Sequence, residues 1–332
     1  MVGLNIESGI LQAIAFAPDK KRVESIAVQE LDFEKDPAAR LADGLKELTL
    51  IPPLQKERTV CLSVGGEGVV IRYLTIPVSP RDNMNDLIKQ TLEQRIPFRG
   101  DQVYFDYQVL GPGEKRNQVK IVLVAAQKAL ITEKINLASA AGLKVGAVEA
   151  DSVALINTWL SQRQWSKTKE REASAFLNIG FDTTVLNIIS QQEPLLSRDI
   201  KFGVTTLMET LGKNNRLKPS ENLRLLKEGG QSKEPSFLNW LRGNIDNLSE
   251  EIKLSFEYAK NQLGTNPNKI YLAGHLKALP NISRLLSDNL ETEIITYNPF
   301  PESELKPELS SLVANNEPAF VLAMGLAFHS DD

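Results

Sequence analysis

Near its N-terminus the chain reads Gly3-Leu4-Asn5-Ile6-Glu7-Ser8-Gly9-Ile10-Leu11-Gln12-Ala13-Ile14. Past its midpoint it reads Phe176-Leu177-Asn178-Ile179-Gly180-Phe181-Asp182-Thr183-Thr184-Val185-Leu186-Asn187-Ile188. Each copy is an apolar strand, a short polar turn and a second apolar strand, the pattern of a β-hairpin. Two copies about half a chain apart indicate a duplicated domain with a cleft between the halves. Paired hairpins of this kind hold phosphates in several nucleotide-binding folds, so the two turns are the first candidate site.

Length and composition limit the possible classes of protein. The chain has 332 residues, enough for about two domains. Its net charge of −4 gives no reason to expect a nucleic-acid partner and disfavours docking on an anionic membrane. The single cysteine, Cys61, lies in an apolar run and is expected to be buried core. With only His275 and His329 as histidines, no metal site is expected.

The apolar runs are too short for a membrane-spanning helix, which needs roughly 20 residues. The N-terminus lacks the basic and apolar blocks of a signal peptide, so we expect a cytoplasmic protein. The C-terminal run from Pro318 to Phe328 is apolar on nearly all faces, which predicts a buried helix and not an amphipathic membrane anchor.

Pattern changes along the chain predict its domains. From residue 79 to 148, helix and strand patterns alternate in a way that predicts a compact α+β insertion. The charged stretch Gln162–Glu172 is a candidate linker, and the polar stretch 212–236 a candidate peripheral piece. The predicted division is a first domain over 1–170 (with the insertion at 79–148), a second domain over 171–317, and a C-terminal helix over 318–332 that returns to the first domain.

Several segments, in the right order, resemble the type IV pilus assembly protein PilM family. They are Ile76–Pro80, Gln94–Phe98, Phe105–Gly111, Leu123–Lys128, Ala140–Lys144, Tyr297–Phe300 and Glu317–Ala327. The resemblance implies an α/β fold of the actin-like (ribonuclease H-like) class, related to the division protein FtsA, with duplicated domains facing a cleft. It also implies that the two hairpins are the phosphate loops. Family members lie on the cytoplasmic face of the inner membrane and capture the N-terminal cytoplasmic tail of a membrane partner, PilN.

The resemblance assigns ten residues to the nucleotide site, if that site is retained. They are Asn5, Ser8, Gly9, Asp151, Asn178, Gly180, Thr183, Thr184, Lys253 and Gly274. Alternatives stay open for four of them. The two threonines are equally expected as plain hairpin residues, Asp151 as a helix N-cap, and Lys253 as part of a solvated helix face.

The sequence departs from the phosphate chemistry of the family. Members typically read Asp-Ile-Gly-Ser in the first hairpin, where this chain has Asn5-Ile6-Glu7-Ser8, and Asp-Ile-Gly in the second, where it has Asn178-Ile179-Gly180. The usual small-Gly-Gly run of the adenosine loop is Ala273-Gly274-His275. A carboxylate about 5 Å from one phosphate charge costs about 3 kcal/mol at an effective dielectric near 20, roughly a hundredfold in affinity, unless it turns to solvent.

We therefore expect either no cofactor or weakly bound ATP with Mg²⁺, and a degenerate ATPase with no catalytic residues. An ATP-binding ATPase with a regulated cleft stays open as the alternative. The expected function is that of a cytoplasmic scaffold in a type IV pilus, or related type II secretion, inner-membrane platform. It would be peripheral to the membrane through a PilN-like partner, with other platform or motor components as further partners.

The inserted subdomain offers the candidate groove for the partner peptide. A peptide can be captured by adding a strand to a sheet edge or by filling apolar pockets. The candidate residues are Ile96, Pro97, Phe98 and Tyr104. The alternative is that Ile96 and Phe98 are ordinary core residues.

Overall fold

The computed structural model describes residues 1–17, 22–79, 81–161, 173–190, 193–215, 218–229, 235–276, 279, 281–300 and 305–329. The strands are β1 (Val2–Glu7), β2 (Ile10–Phe16), β3 (Val23–Glu30), β4 (Thr59–Val64), β5 (Val69–Pro77), β6 (Val103–Pro112), β7 (Gln118–Gln127), β8 (Lys144–Ala150), β9 (Ala173–Ile179), β10 (Thr184–Ser190), β11 (Glu193–Ile200), β12 (Lys269–Gly274) and β13 (Glu293–Thr296). The helices are α1 (Pro37–Leu48), α2 (Met84–Arg95), α3 (Lys128–Ala140), α4 (Asp151–Ser161), α5 (Val204–Asn215), α6 (Pro219–Gly229), α7 (Pro235–Leu263), α8 (Ile282–Leu290), α9 (Pro307–Val313) and α10 (Val321–Ala327).

Two five-stranded sheets repeat one topology. The first has the order β3-β2-β1-β4-β8 and the second the order β11-β10-β9-β12-β13. In each, the first three strands in sequence form an antiparallel meander, and the last two run parallel to the first strand. The duplicated architecture predicted from the repeated hairpins is confirmed.

A third, antiparallel sheet of order β5-β7-β6 carries the inserted subdomain together with α2. Its bounds differ from the predicted 79–148. The subdomain begins at β5, before residue 79, whereas α3 and β8 belong to the first large domain: Ala138 of α3 lies in that domain's core, and β8 pairs with β4. The base of the insertion is closed by a hydrogen bond of 2.9 Å from the Gln127 amide to the Gly68 carbonyl.

The C-terminal helix α10 packs on β1 and α4 in the first domain. Close approach depends on two glycines. A Cβ at Gly3 would overlap the backbone of Ala323 and Ala327, and one at Gly325 would overlap the carbonyl of Ala154. All residues of α10 are buried, as its apolar composition predicts.

Other expectations were met in part. The sequence pattern after β12 predicts a helix over Leu276–Ser287, but α8 begins only at Ile282, and the strand β13 that follows it was not predicted. The polar stretch 212–236 contributes the end of α5 and all of α6, whose Leu226 is buried in the core of the second domain. The candidate linker Gln162–Glu172 lies outside the described residues. Among the described helices, none has the length and apolar character needed to cross a membrane.

Candidate functional site

The two predicted phosphate hairpins meet turn to turn. The β1–β2 turn contains Gly9, where a Cβ would overlap the ring of Phe181 in the β9–β10 turn. A Cβ at Gly180 would likewise overlap the carboxylate of Glu7. The small residues at these positions therefore allow the two turns, and with them the two domains, to touch.

Glu7 reaches from the first hairpin into the second. Its Oε1 accepts a hydrogen bond of 2.7 Å from the backbone N–H of Phe181, and its Oε2 accepts one of 3.0 Å from Nδ2 of Asn5. Nε2 of His275 lies 2.7 Å from Oε2. The Glu7 side chain is only 13% exposed, so it does not turn to solvent.

The surroundings of Glu7 favour its charged form. Burial raises the pKa of Glu7, but the attraction of His275 and the hydrogen bonds from His275, Phe181 and Asn5 outweigh burial, and the pKa lies below its ordinary value. Because an ionised carboxylate only accepts hydrogen bonds, Nε2 of His275 carries the hydrogen in this contact.

His275 is positioned by the loop after β12. Its backbone N–H donates to the carbonyl of Ile179 at 2.9 Å. Gly274 before it has φ +103° and lies so close to Ile179 that a Cβ would overlap that residue's backbone. The imidazole packs edge-on against Phe181, with ring centroids 4.6 Å apart. His275 is buried in this loop, and it also contacts the first domain through Glu7.

Asp182 makes the opposite contact, from the second hairpin to the first. Its Oδ2 accepts a hydrogen bond of 2.9 Å from the backbone N–H of Ser8, and its Oδ1 accepts a short one from the Ser8 hydroxyl. Backbone N–H groups at such turns are the groups that bind phosphate oxygens in nucleotide-binding loops. In this protein a carboxylate of each hairpin is bonded to an amide of the other.

Two further carboxyl groups lie below the β4–β5 turn, one from each domain. Asp151, the first residue of α4, touches Gly65, where a Cβ would overlap its Oδ2. Burial raises the pKa of Asp151 to about 6. Asp199 of β11 accepts a hydrogen bond from the Gly66 amide. Burial, and then the nearby charge of Asp151, raise the pKa of Asp199 to about 7.

Lys134 of α3 is a cation at the same place that the sequence did not single out. Its Nζ donates to the carbonyl of Ile6 at 2.7 Å, and its charge opposes the rise in the pKa of Asp151. One sequence feature could have pointed to Lys134: it lies on the helix that connects β7 to β8, and Asp151 directly follows β8.

An open cavity of about 520 Å³ remains in the cleft. Four acidic and two basic side chains line it, so its charge disfavours a polyanion. The lining residues are Gly66, Glu67, Asp182, Thr183, Arg198, Asp199, Ile200, Lys201 and Glu251.

A second cavity of about 420 Å³ borders the predicted adenosine loop at Gly274. Four asparagine amides contribute to its lining: Asn281, Asn298, Asn315 and Asn316. It lies at the carboxyl ends of β12 and β13, where open α/β sheets bind ligands.

The structure brings most of the predicted cleft residues together. Asn5, Ser8, Gly9, Gly180 and Gly274 lie at the meeting point of the two turns, Asp151 beneath it, and Thr183 on the cavity wall. The other three differ. Asn178 is buried within β9, and the Thr184 hydroxyl donates inside the second domain to the Phe202 carbonyl at 2.8 Å. Lys253 pairs with Glu250 on its own helix at 2.8 Å and does not line the cleft cavity.

The four predicted groove residues lie in the inserted subdomain. Ile96 and Phe98 are partly buried against its core, as the alternative interpretation expected. Pro97 is exposed, and Tyr104 is 55% exposed with Nζ of Lys128 5.2 Å from its ring centroid. Tyr104 is the second residue of β6, which pairs only with β7 among the described strands and leaves one edge of the third sheet open.

Cys61, Glu149 and His329 lie together in the first domain, with their possible ligand atoms within 4.8 Å of one another. The His329 ring makes a short hydrogen bond with Glu149, and Asn157 donates to the other carboxylate oxygen at 3.1 Å. Cys61 is fully buried in the core beneath α4 and α10. These contacts hold His329, two residues past the end of α10, to β8. The expectation that the protein binds no metal stays a prediction.

Two sheets of one strand order, joined through facing hairpin turns, define an actin-like fold. The chain belongs to the family described as type IV pilus assembly protein PilM, whose model matches residues 16–331. This confirms the family predicted from the sequence.

Solved structures agree with the fold. The chain resembles one from a PilM-PilN type IV pilus biogenesis complex, with a TM-score of 0.82 and 21% identity over 98% of this chain and 97% of that chain. It also resembles ethanolamine utilization protein EutJ from Carboxydothermus hydrogenoformans, with a TM-score of 0.55 and 14% identity over 99% of this chain and 89% of that chain.

Proposed function

We propose that this protein is a scaffold of a type IV pilus, or related type II secretion, inner-membrane platform. It captures the N-terminal cytoplasmic peptide of a PilN-like membrane partner and works with little or no bound nucleotide. Family membership supports the pilus assignment, and the structural relative solved with PilN supports the choice of partner. The peripheral location at the inner membrane follows from that partner.

One observation carries the nucleotide part of the proposal: the backbone N–H of Phe181 already donates its hydrogen bond to the carboxylate of Glu7. A triphosphate would have to displace this carboxylate and separate it from His275, or bind beside it at the cost of charge repulsion. Asn5 and Asn178 stand where the family has aspartates that help hold hydrated Mg²⁺, so the metal would lose two carboxylate contacts. The acidic cavity lining adds to the repulsion.

The open edge of β6 supports peptide capture. An extended peptide that adds a strand there would gain main-chain hydrogen bonds, and alternate side chains would meet the sheet surface. Tyr104, Val109 and Leu110 of β6 are large apolar side chains left exposed on this strand. The matching peptide is extended and carries apolar side chains at alternate positions.

Titration of a fluorescent N-terminal peptide of the PilN-like partner tests the proposal. Tyr104→Ala should weaken binding at least tenfold, because aromatic side chains often dominate such contacts. The matched control is Tyr258→Ala on α7, since Tyr258 is 50% exposed and lies outside the inserted subdomain. Equal affinity of wild type and Tyr104→Ala would count against this edge.

A deletion tests the whole subdomain. Because Gly68 and Gln127 are hydrogen-bonded neighbours, a short glycine-serine linker can replace residues 69–126. This leaves α3 packed in the first domain and β8 paired with β4 in its sheet. Peptide capture should be lost while the far-ultraviolet circular dichroism keeps the remaining helices and strands. Binding of the peptide by the shortened chain would refute the assignment of the peptide groove to the inserted subdomain.

The alternative, an ATPase with a regulated cleft, is favoured by Asp151, a carboxyl group packed against Gly65 whose pKa burial raises to about 6. A group of that kind suits a general base. Single-turnover hydrolysis of ATP–Mg²⁺ that is abolished in Asp151→Asn would support this alternative.

A further inference from the structure

We propose that the two hairpins form a reciprocal latch that holds the domains closed without a nucleotide. Each hairpin donates a backbone N–H and supplies a carboxylate. The Phe181 amide donates to Glu7, and the Ser8 amide donates to Asp182, so each hairpin binds the other through the same pair of groups. The latch does not require the partner proposed above.

The geometry makes the latch specific to the closed arrangement. The four groups belong to two hairpins on opposite domains, and residues 7 and 181 are separated by 174 positions in the chain. The turns touch closely enough that Gly9 and Gly180 tolerate no Cβ. Rotation of one domain away from the other would break both contacts together, because both lie at one point of the cleft.

The charged groups around the latch support it. Glu7 faces His275, and Nζ of Lys134 donates a hydrogen bond to the carbonyl of Ile6, the residue before Glu7. Asp182 also has the hydroxyl of Thr205 3.5 Å from its Oδ1. Hydrogen bonds to a charged group are about twice as strong as neutral ones. Four such bonds cross between the domains and favour closure: two to Glu7, from the Phe181 amide and His275, and two to Asp182, from the amide and hydroxyl of Ser8.

A second set of contacts joins the inserted subdomain to the second domain. The hydroxyl of Tyr73 on β5 lies 2.9 Å from Oγ of Ser197 on β11, and Ser197 in turn donates to Asn187 on β10. Lys120 of β7 pairs with Glu193 of β11 at 2.9 Å. The inserted subdomain and the second domain are thereby in contact through residues other than those of the latch.

The consequence for function is that the closed form needs no ligand. In a two-state cleft, a nucleotide can shift closure only by binding the closed form better than the open one. Since the latch amides are already occupied, ATP–Mg²⁺ should leave the distance between the domains unchanged.

Interdomain distances measured by double electron–electron resonance test the latch. Spin labels go on Glu47→Cys in α1 and Glu257→Cys in α7, both exposed, in full-length protein with the buried Cys61 changed to serine. The wild type should give one narrow distance peak that ATP–Mg²⁺ does not move. The double variant Glu7→Ala, Asp182→Ala should give a longer and broader distribution.

The matched control is Glu67→Ala, which removes the exposed interdomain pair with Lys201 at 3.3 Å and should leave the peak in place. An unchanged distribution in the double variant would overturn the latch. If the double variant does not fold, hydrogen exchange of the wild type decides: the Ser8 amide should exchange slowly, and rapid exchange there would overturn the latch. Peptide titration of the wild type, run separately, tests the partner and not the latch.

Discussion

Glu7 and His275 are 268 positions apart in the chain, and Oε2 of Glu7 lies 2.7 Å from Nε2 of His275. Both stand where the PilM family typically has glycine, one in the first of the two predicted phosphate hairpins and one in the predicted adenosine loop. The two departures from the family pattern therefore meet in space. An unpaired carboxylate at this position would repel a phosphate. Here the carboxylate is paired with an imidazole from the opposite domain.

Glu7→Gln should lower the free energy of unfolding by about 2 kcal/mol at pH 7, because a buried hydrogen-bonded charge is lost while the shape is kept. Since the pKa of Glu7 is lowered in the fold, its contribution is present above its unfolded value of 4.5 and is lost as the pH falls through the lower folded value. Urea unfolding at several pH values measures the difference in free energy of unfolding between the wild type and Glu7→Gln. This difference should shrink below about pH 4.5. A gap that is constant from pH 7 to acid would contradict this.

Asp199→Asn should stabilise the protein at pH 8 by about 2 kcal/mol and much less at pH 5. The raised pKa of about 7 means that the fold favours the protonated form. The cost of ionising it therefore appears as the pH rises from the unfolded pKa of 3.8 through the folded one. The asparagine keeps an oxygen for the Gly66 amide. Asp101→Asn, at an exposed position, is the control; an equal gain at pH 5 and pH 8 would disprove the assignment.

Gly325→Ala should destabilise the protein by about 2 to 3 kcal/mol, since the new methyl group would overlap the Ala154 carbonyl and push α10 from α4. Gly243→Ala is the matched change within α7, where a Cβ meets nothing within 4 Å. It should stabilise by about 0.5 to 1 kcal/mol, because alanine restricts the unfolded chain. Thermal unfolding compares the two, and equal effects would argue against the packing of α10.

Tyr73→Phe and Ser197→Ala should each destabilise by about 1 kcal/mol, and together by less than the sum. The reason is their shared hydrogen bond of 2.9 Å between the inserted subdomain and the second domain. Burial raises the pKa of Tyr73 to about 12, so the hydroxyl stays neutral across the working range of pH. A double-mutant cycle by urea unfolding gives the coupling free energy of the two side chains. Strictly additive effects would contradict a stabilising hydrogen bond between them.

Much of the fold could be predicted from residue patterns. The helix over 37–48 follows from leucines at helical spacing, and the two hairpins from apolar alternation around turn residues. The limits of the insertion could not be predicted, because β5 and β8 have similar apolar patterns and only pairing decides which sheet each joins. The strand β13 is four residues long, too short for a periodic signal.

The site was predictable as a place but not as a set of contacts. Sequence placed Asn5, Gly9 and Gly180 at the meeting turns, since the repeat itself marks them. It could not show that Glu7 points at the second domain, because side-chain direction at a turn depends on what the other domain offers. Thr184 and Lys253 were assigned by position in the family pattern, and their hydrogen bonds to Phe202 and Glu250 keep them from the cleft.

The most direct test of the central claim, that the protein's own carboxylates fill the phosphate turns, is calorimetric titration of the wild type with ATP–Mg²⁺. The account predicts no binding in the micromolar range, and at least tenfold tighter binding by Glu7→Gly than by wild type. A micromolar dissociation constant for the wild type, unchanged in Glu7→Gly, would contradict it.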